Sequence, residues 1–214
     1  MNRMIATLIG TFLLGGCNVV VTSAPLFTLA DQASGPGPRM GVWRFEAKPD
    51  CAVDEGKALG DWPECAQGLV WKDGGMAGFY ERTAGATGAP GAPLWKVQPL
   101  IFAPGTPNIL QAAINVSGDV KMSGTPYGYA GARATKTDDK GRITALVLWP
   151  VMCGPPPPDD KDAMTKKLLP GLSAKAADPV CTTSSIAALR NAAKASEAWA
   201  PKAMSGHWVR DGGS

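Results

Sequence analysis

Four sets of residues in this chain could do chemistry: one histidine, a run of aspartates, the cysteines and the aromatic side chains. His207 is the sole histidine, so any Ser–His–Asp relay has to use it. Ser205 stands two positions before it and Asp211 four positions after it. Two positions share a face on a strand and point apart in a turn. Such a relay is defined by geometry rather than by spacing, and a histidine so near the C-terminus reads first as a half-exposed terminal side chain. No catalytic residue is assigned. Asp159, Asp160 and Asp162 follow a proline run and are interrupted by Lys161. Calcium needs six to eight oxygens, and no glycine sits within this run to make the sharp EF-hand turn, so it reads as a solvated loop. No metal site and no cofactor are expected. Asp138 and Asp139 are turn formers first. No G-x-x-x-x-G-K-[ST], H-E-x-x-H or G-x-S-x-G motif occurs.

The aromatic residues carry more information. There are seven tryptophans, and Trp43, Trp71, Trp95 and Trp149 fall on expected strands. Burial in a core is the first reading. The functional alternative is a surface that stacks on a sugar or peptide. Tyr127 and Tyr129, on one strand face with Arg133, are the candidate binding face.

The cysteines set the address. Leu14-Gly15-Gly16-Cys17 ends a short apolar run that begins after Arg3. The run is too short to span a bilayer, which takes ~20 helical residues, and its layout is that of a removable signal peptide. This stretch resembles the lipobox of bacterial lipoproteins. The resemblance implies cleavage after residue 16, a diacylglyceryl thioether on Cys17 and attachment to a membrane through that lipid, where two or more acyl chains anchor stably. It also implies an outer-membrane location facing the periplasm, because Asn18 stands where an aspartate would retain the protein in the inner membrane. Cys51, Cys65, Cys153 and Cys181 remain, an even number in an exported domain, which reads as two disulfides. Three pairings are possible. We favour Cys51–Cys65 and Cys153–Cys181 as nearest in sequence, each worth about 3–4 kcal/mol in the chain-entropy model. No C-x-x-C occurs, which disfavours zinc. Gly41-Val42-Trp43 and the stretch from Trp149 to Gly154 are similar to uncharacterised lipoproteins of alphaproteobacteria, which bring no activity with them.

The elements that must position these residues are mostly strands. Gly 26 and Pro 19 in 214 residues, with 18% charged, imply many turns and short strands. A formal net charge of +3 gives no basic field for nucleic acid, and no nucleic-acid partner is expected. Residues 1–16 read as the signal peptide, 17–39 as a lipidated tether broken by Gly35-Pro36-Gly37-Pro38, and 40–214 as a β-rich globular domain. Strands are expected at 41–47, 68–72, 76–82, 94–102, 109–116, 127–137, 142–151 and 206–210. Residues 83–93 read as a flexible loop. The clearest hairpin turns at Asp138-Asp139-Lys140-Gly141. Its first strand carries a small face (Gly128, Ala130, Ala132, Ala134), which predicts that another element lies close. Its second is apolar on both faces and reads as central. A short helix is expected at 161–169. A longer one is expected at 185–199, capped by Thr183 or Ser184, with Leu189, Ala192, Ser196 and Trp199 inward.

The expected fold is α+β: a twisted, mainly antiparallel sheet, curling toward a barrel, with a C-terminal helix packed on it. The expected function is that of a lipid-anchored cell-envelope protein, a non-enzymatic binding or structural module with an envelope protein or glycan partner. The alternatives are an envelope hydrolase acting on peptidoglycan, lipid or ester substrates, and a small inhibitor lipoprotein that blocks a lytic enzyme with its proline-stiffened loop near Cys153.

Overall fold

A computed structural model describes residues 18–46, 51–63, 65–84, 90–114, 124–159, 164–175, 179–199 and 203–212. Cys17, Asp160 and Asp162 lie outside them, as do residues 1–16, the stretch read as a signal peptide. The elements in chain order are β1 (Val19–Thr22), α1 (Leu29–Gln32), β2 (Gly41–Glu46), β3 (Gln67–Lys72), β4 (Met76–Ala84), β5 (Pro90–Ala103), β6 (Asn108–Ala113), β7 (Tyr127–Thr137), β8 (Ile143–Pro150), β9 (Val180–Cys181), α2 (Ile186–Ser196) and β10 (Met204–Arg210).

Eight strands close a barrel in the order β6-β5-β4-β3-β2-β10-β8-β7, and the β6–β7 pairing joins its ends. Every pairing around the ring is antiparallel. The fold is therefore mainly β, and the α+β expectation is corrected to that extent. The antiparallel sheet and the C-terminal helix packed on it are as expected. Closure removes the open edges that a sheet this long would otherwise present.

The period of two in each strand fills the lumen. Trp43 and Phe45 of β2, Leu69 and Trp71 of β3, and Leu100 and Phe102 of β5 are buried in one cluster. Ring centroids lie 6.0 Å apart for Trp43 and Trp71 and 6.1 Å for Trp71 and Phe102, both edge to face. Such pairs add about 0.5–1.5 kcal/mol each beyond burial. Ala130, Ala132 and Ala134 of β7 face the same cluster. The small face thus makes room for large lumen side chains. On its opposite face Gly131 pairs with Trp149 of β8.

The Trp149 indole N–H donates to Ala193 O of α2 at 2.8 Å, and Ser196 Oγ accepts from Met152 N at 2.8 Å. Ala188, Leu189, Ala192, Ala193 and Ser196 are the buried side of α2. Its N-cap is Ser185, one residue beyond the expected pair, with its side chain accepting from Ala188 N. The helix ends at Ser196, and residues 197–199 turn.

Three further expectations change. The stretch read as a tether is woven into the domain. Val19, Val20, Val21 and Thr22 are all buried, with β1 antiparallel to β7 and parallel to β9. A valine triplet gains more from a sheet than from water. Of residues 83–93, read as a loop, the described ones, 83–84 and 90–93, belong to β4 and β5. The helix expected at 161–169 is absent from its described part, since residues 164–169 form irregular chain. The turn at residues 138–141 is as read: Asp138 Oδ1 accepts from Lys140 N and Arg142 N, and Gly141 takes φ 76°.

Candidate functional site

The loop between β2 and β3 lies on the outside of the barrel and gathers most of the reactive groups. Alternation in β2 turns Trp43 and Phe45 into the lumen, so Arg44 points out. In β10 His207 is the cross-strand partner of Arg44. Both reach one carboxylate: Glu55 Oε1 lies 3.0 Å from His207 Nε2 and 3.0 Å from Arg44 Nη1. Arg44 Nη2 also donates to Cys51 O at 3.1 Å. From the end of β10, Arg210 donates to Glu55 O and, at 2.7 Å, to Lys57 O. The Cys51–Cys65 disulfide closes the loop at its root. Leu59 and Trp62 then seal it down on Val42 and Val70. Gly68 of β3 lies beneath them, and a Cβ there would collide with both Leu59 and Trp62.

Burial pushes the Glu55 carboxyl up, but hydrogen bonds from Arg44 and His207 and their charges outweigh it, so its pKa falls below the ordinary 4.5. A carboxylate with a depressed pKa contributes stability fully above its unfolded value and loses it as pH drops through the lower folded value. Glu55→Gln is therefore expected to flatten the loss of thermal stability on acidification between about pH 5 and about pH 3. An unchanged acid limb in that variant would show that the cluster contributes nothing to stability. Glu55 and His207 are both half-exposed, so the effect belongs to a solvent-screened pair and is small.

The structure thus pairs His207 with Glu55 and not with Asp211. Asp211 is held by Arg39 at 2.8 Å, and Arg39 in turn stacks over the Trp208 ring at 3.6 Å. A half-exposed imidazole against a carboxylate can move a proton. Here the carboxylate is shared with a guanidinium, which holds it ionised and makes it a weak base.

Beside the loop stands an aromatic pair that sequence reasoning left unpaired. Tyr80 and Trp95 face each other across β4 and β5 with centroids 4.9 Å apart. Lys72 Nζ sits 5.3 Å over the Trp95 ring. Leu94 and Val97, next in the same strand, are 51% and 47% exposed. The sequence placed Trp95 on a strand but gave no signal for its partner or its surroundings.

The tyrosine end of the face read as a binding surface, Tyr127 and Tyr129, is packed under other elements, and only Arg133 of the three is exposed. Tyr129 is buried, and its hydroxyl lies 2.6 Å from Thr22 Oγ1 on β1. Burial pushes that phenol up to about 12. Tyr127 packs against the cluster under α2, while Arg133 is exposed and pairs with Glu197 at 2.7 Å. Alternation showed that these three share a face. It could not show that β1 and α2 would lie on it.

The remaining cysteines pair as favoured. Cys153–Cys181 links the chain after β8 to β9, with sequence separation 28. Among the described residues no group of three His, Cys, Asp or Glu side chains is placed to hold a metal ion. No described helix is long and apolar enough to cross a membrane. No protein-family model, curated protein or solved structure matches the chain.

Proposed function

We propose that the protein is a lipid-anchored component of the cell envelope, held through Cys17 and acting as a non-enzymatic binding or structural module, with an envelope protein or glycan as partner. One observation carries the reading. The groups that could do chemistry, His207, Glu55, Arg44 and Arg210, are spent on strapping a disulfide-closed loop to a barrel wall. A loop fixed in that way presents its outer side without an ordering cost on binding. Paired cysteines suit an oxidising compartment, and the lipobox-like start supplies the attachment.

The His207–Glu55 contact is the observation that favours the hydrolase alternative. It predicts that His207→Ala abolishes an envelope hydrolysis, whereas the module reading predicts a folded protein with unchanged envelope turnover. The anchor is tested by cell fractionation of the full chain. Wild type is expected in the membrane fraction and Cys17→Ser in the soluble envelope fraction. Equal membrane association of the two would contradict the reading.

A further inference from the structure

Asn18 leaves the chain no slack next to its proposed lipid. Its N–H donates to Pro179 O at 2.7 Å, and its carbonyl accepts from Cys153 N at 2.8 Å. Its side-chain Nδ2 donates to Gly154 O at 3.0 Å, and its Oδ1 accepts from Thr165 N at 3.3 Å. The residue is 1% exposed. At φ 127° it is the one non-glycine residue with positive φ among the described residues, a conformation that persists only where the surroundings over-determine it. The next four residues are β1, buried between β7 and β9. The disulfide Cys153–Cys181 staples the segments on either side. Cys17 is one peptide unit from this lock, about 3.8 Å between Cα atoms.

A second feature points to the same end of the molecule. β3 pairs with β4 only at Val70–Lys72, and β6 pairs with β5 only at Leu100–Ala103. Among the described residues, 79–84 and 90–96 therefore pair only with each other, as a two-stranded ribbon running past the barrel wall, with Val97 at its root opposite Gly78. Successive antiparallel pairings make β4 run in the direction of β2 and β8. β8 ends at the segment that holds Asn18, so the ribbon projects toward the anchor end. It carries the exposed Leu94 and the half-exposed Trp95 under Lys72, and the exposed Val97 stands at its root. Apolar side chains with a tryptophan and a lysine are what a membrane interface accepts.

We infer that the barrel sits directly on the bilayer that carries its lipid, with the β4–β5 ribbon as a second contact in the headgroup layer. This rests on the lipid-anchor reading above. The occupant is the membrane, because the ribbon and the locked residue beside Cys17 share one end. The turn at residues 138–141, at the far end of β7, points away by about 30 Å, from 11 residues of strand.

The test uses acylated full-length protein in phosphatidylcholine vesicles containing lipids with brominated chains. A fluorescent amino acid replaces Val97 in one sample and Lys140 in another, and the intact mass of each sample is measured first. Quenching at position 97 is expected to exceed that at 140 by about threefold or more. Leu94→Asp in the position-97 sample, or a flexible insert of about ten residues between Cys17 and Asn18, is expected to bring it down toward the level at 140. Equal quenching at 97 and 140 in protein whose mass shows the acyl chains would overturn the seating alone. An unmodified Cys17 in protein purified from its native membranes would overturn the anchor and the seating together.

Discussion

Trp149→Ala is expected to destabilise the barrel by about 3–5 kcal/mol, the range for deleting a buried tryptophan. Trp149 is fully buried between β8 and α2, and its indole N–H is the donor to Ala193 O at 2.8 Å. Truncation empties that space and removes the indole donor, while Ala193 O keeps the Glu197 N–H at 3.3 Å, so the cost is chiefly that of the cavity. For a domain of this size the loss corresponds to a fall in melting temperature on the order of 10 °C. Gly131→Ala is the complementary experiment. A Cβ at Gly131 would enter the Trp149 ring, so the indole must move off its acceptor and α2 must shift with it. Destabilisation by both changes, one by removal and one by crowding, identifies the Gly131–Trp149–Ala193 stack as what seats the helix. A melting temperature within a degree or two of wild type for Trp149→Ala would show that the helix is seated by something else.

Replacing Cys153 and Cys181 together by serine is expected to cost about 3–4 kcal/mol, from the loop the bridge closes in the unfolded chain. The larger consequence is local. β1 is held by Val20 N donating to Val151 O, by Cys153 N donating to Asn18 O, and by its pairing with β9 at Val20 and Cys181. The bridge ties together the two segments that make those contacts. Amide exchange in β1 should therefore rise toward the rate of a locally open segment while the lumen strands stay protected. Removing Cys51 and Cys65 should cost a similar amount, about 3 kcal/mol, and leave β1 protected, since that bridge closes only the loop between β2 and β3. The same exchange pattern from both double variants would contradict the assignment of one bridge to the N-terminal strand and the other to the loop.

What the sequence revealed was what local signals encode. The hairpin around Asp138 to Gly141 was readable because its turn residues and the alternation on both sides agree. The two nearest-neighbour disulfides were readable because the loops they close are short. The misread parts depend on partners far away in the chain. Val19 to Val21 looked like a tether because their strand is only four residues long and finds its partners at Gly128 and Val180. Tyr129 looked like a surface residue because alternation assigns faces without saying which face is covered. Gly128, Ala130, Ala132 and Ala134 suggested a close neighbour. It is the aromatic lumen on the alanine side, while on the other face Gly131 admits Trp149. Glu55 could not be linked to His207 across 152 positions until the loop that carries it was in place. Arg44 and Glu46 put charge on the outward face of β2, which says that the face is polar but not which residue meets it.

Whether Cys17 carries a lipid and the other four cysteines are paired is read from the intact mass of the protein extracted from its native membranes. The expected chain begins at Cys17, is heavier by a diacylglyceryl group with or without an amino-terminal acyl chain, and is lighter by four hydrogens for two disulfides. A chain that keeps residues 1–16, a bare Cys17, or four alkylatable thiols at Cys51, Cys65, Cys153 and Cys181 would contradict it.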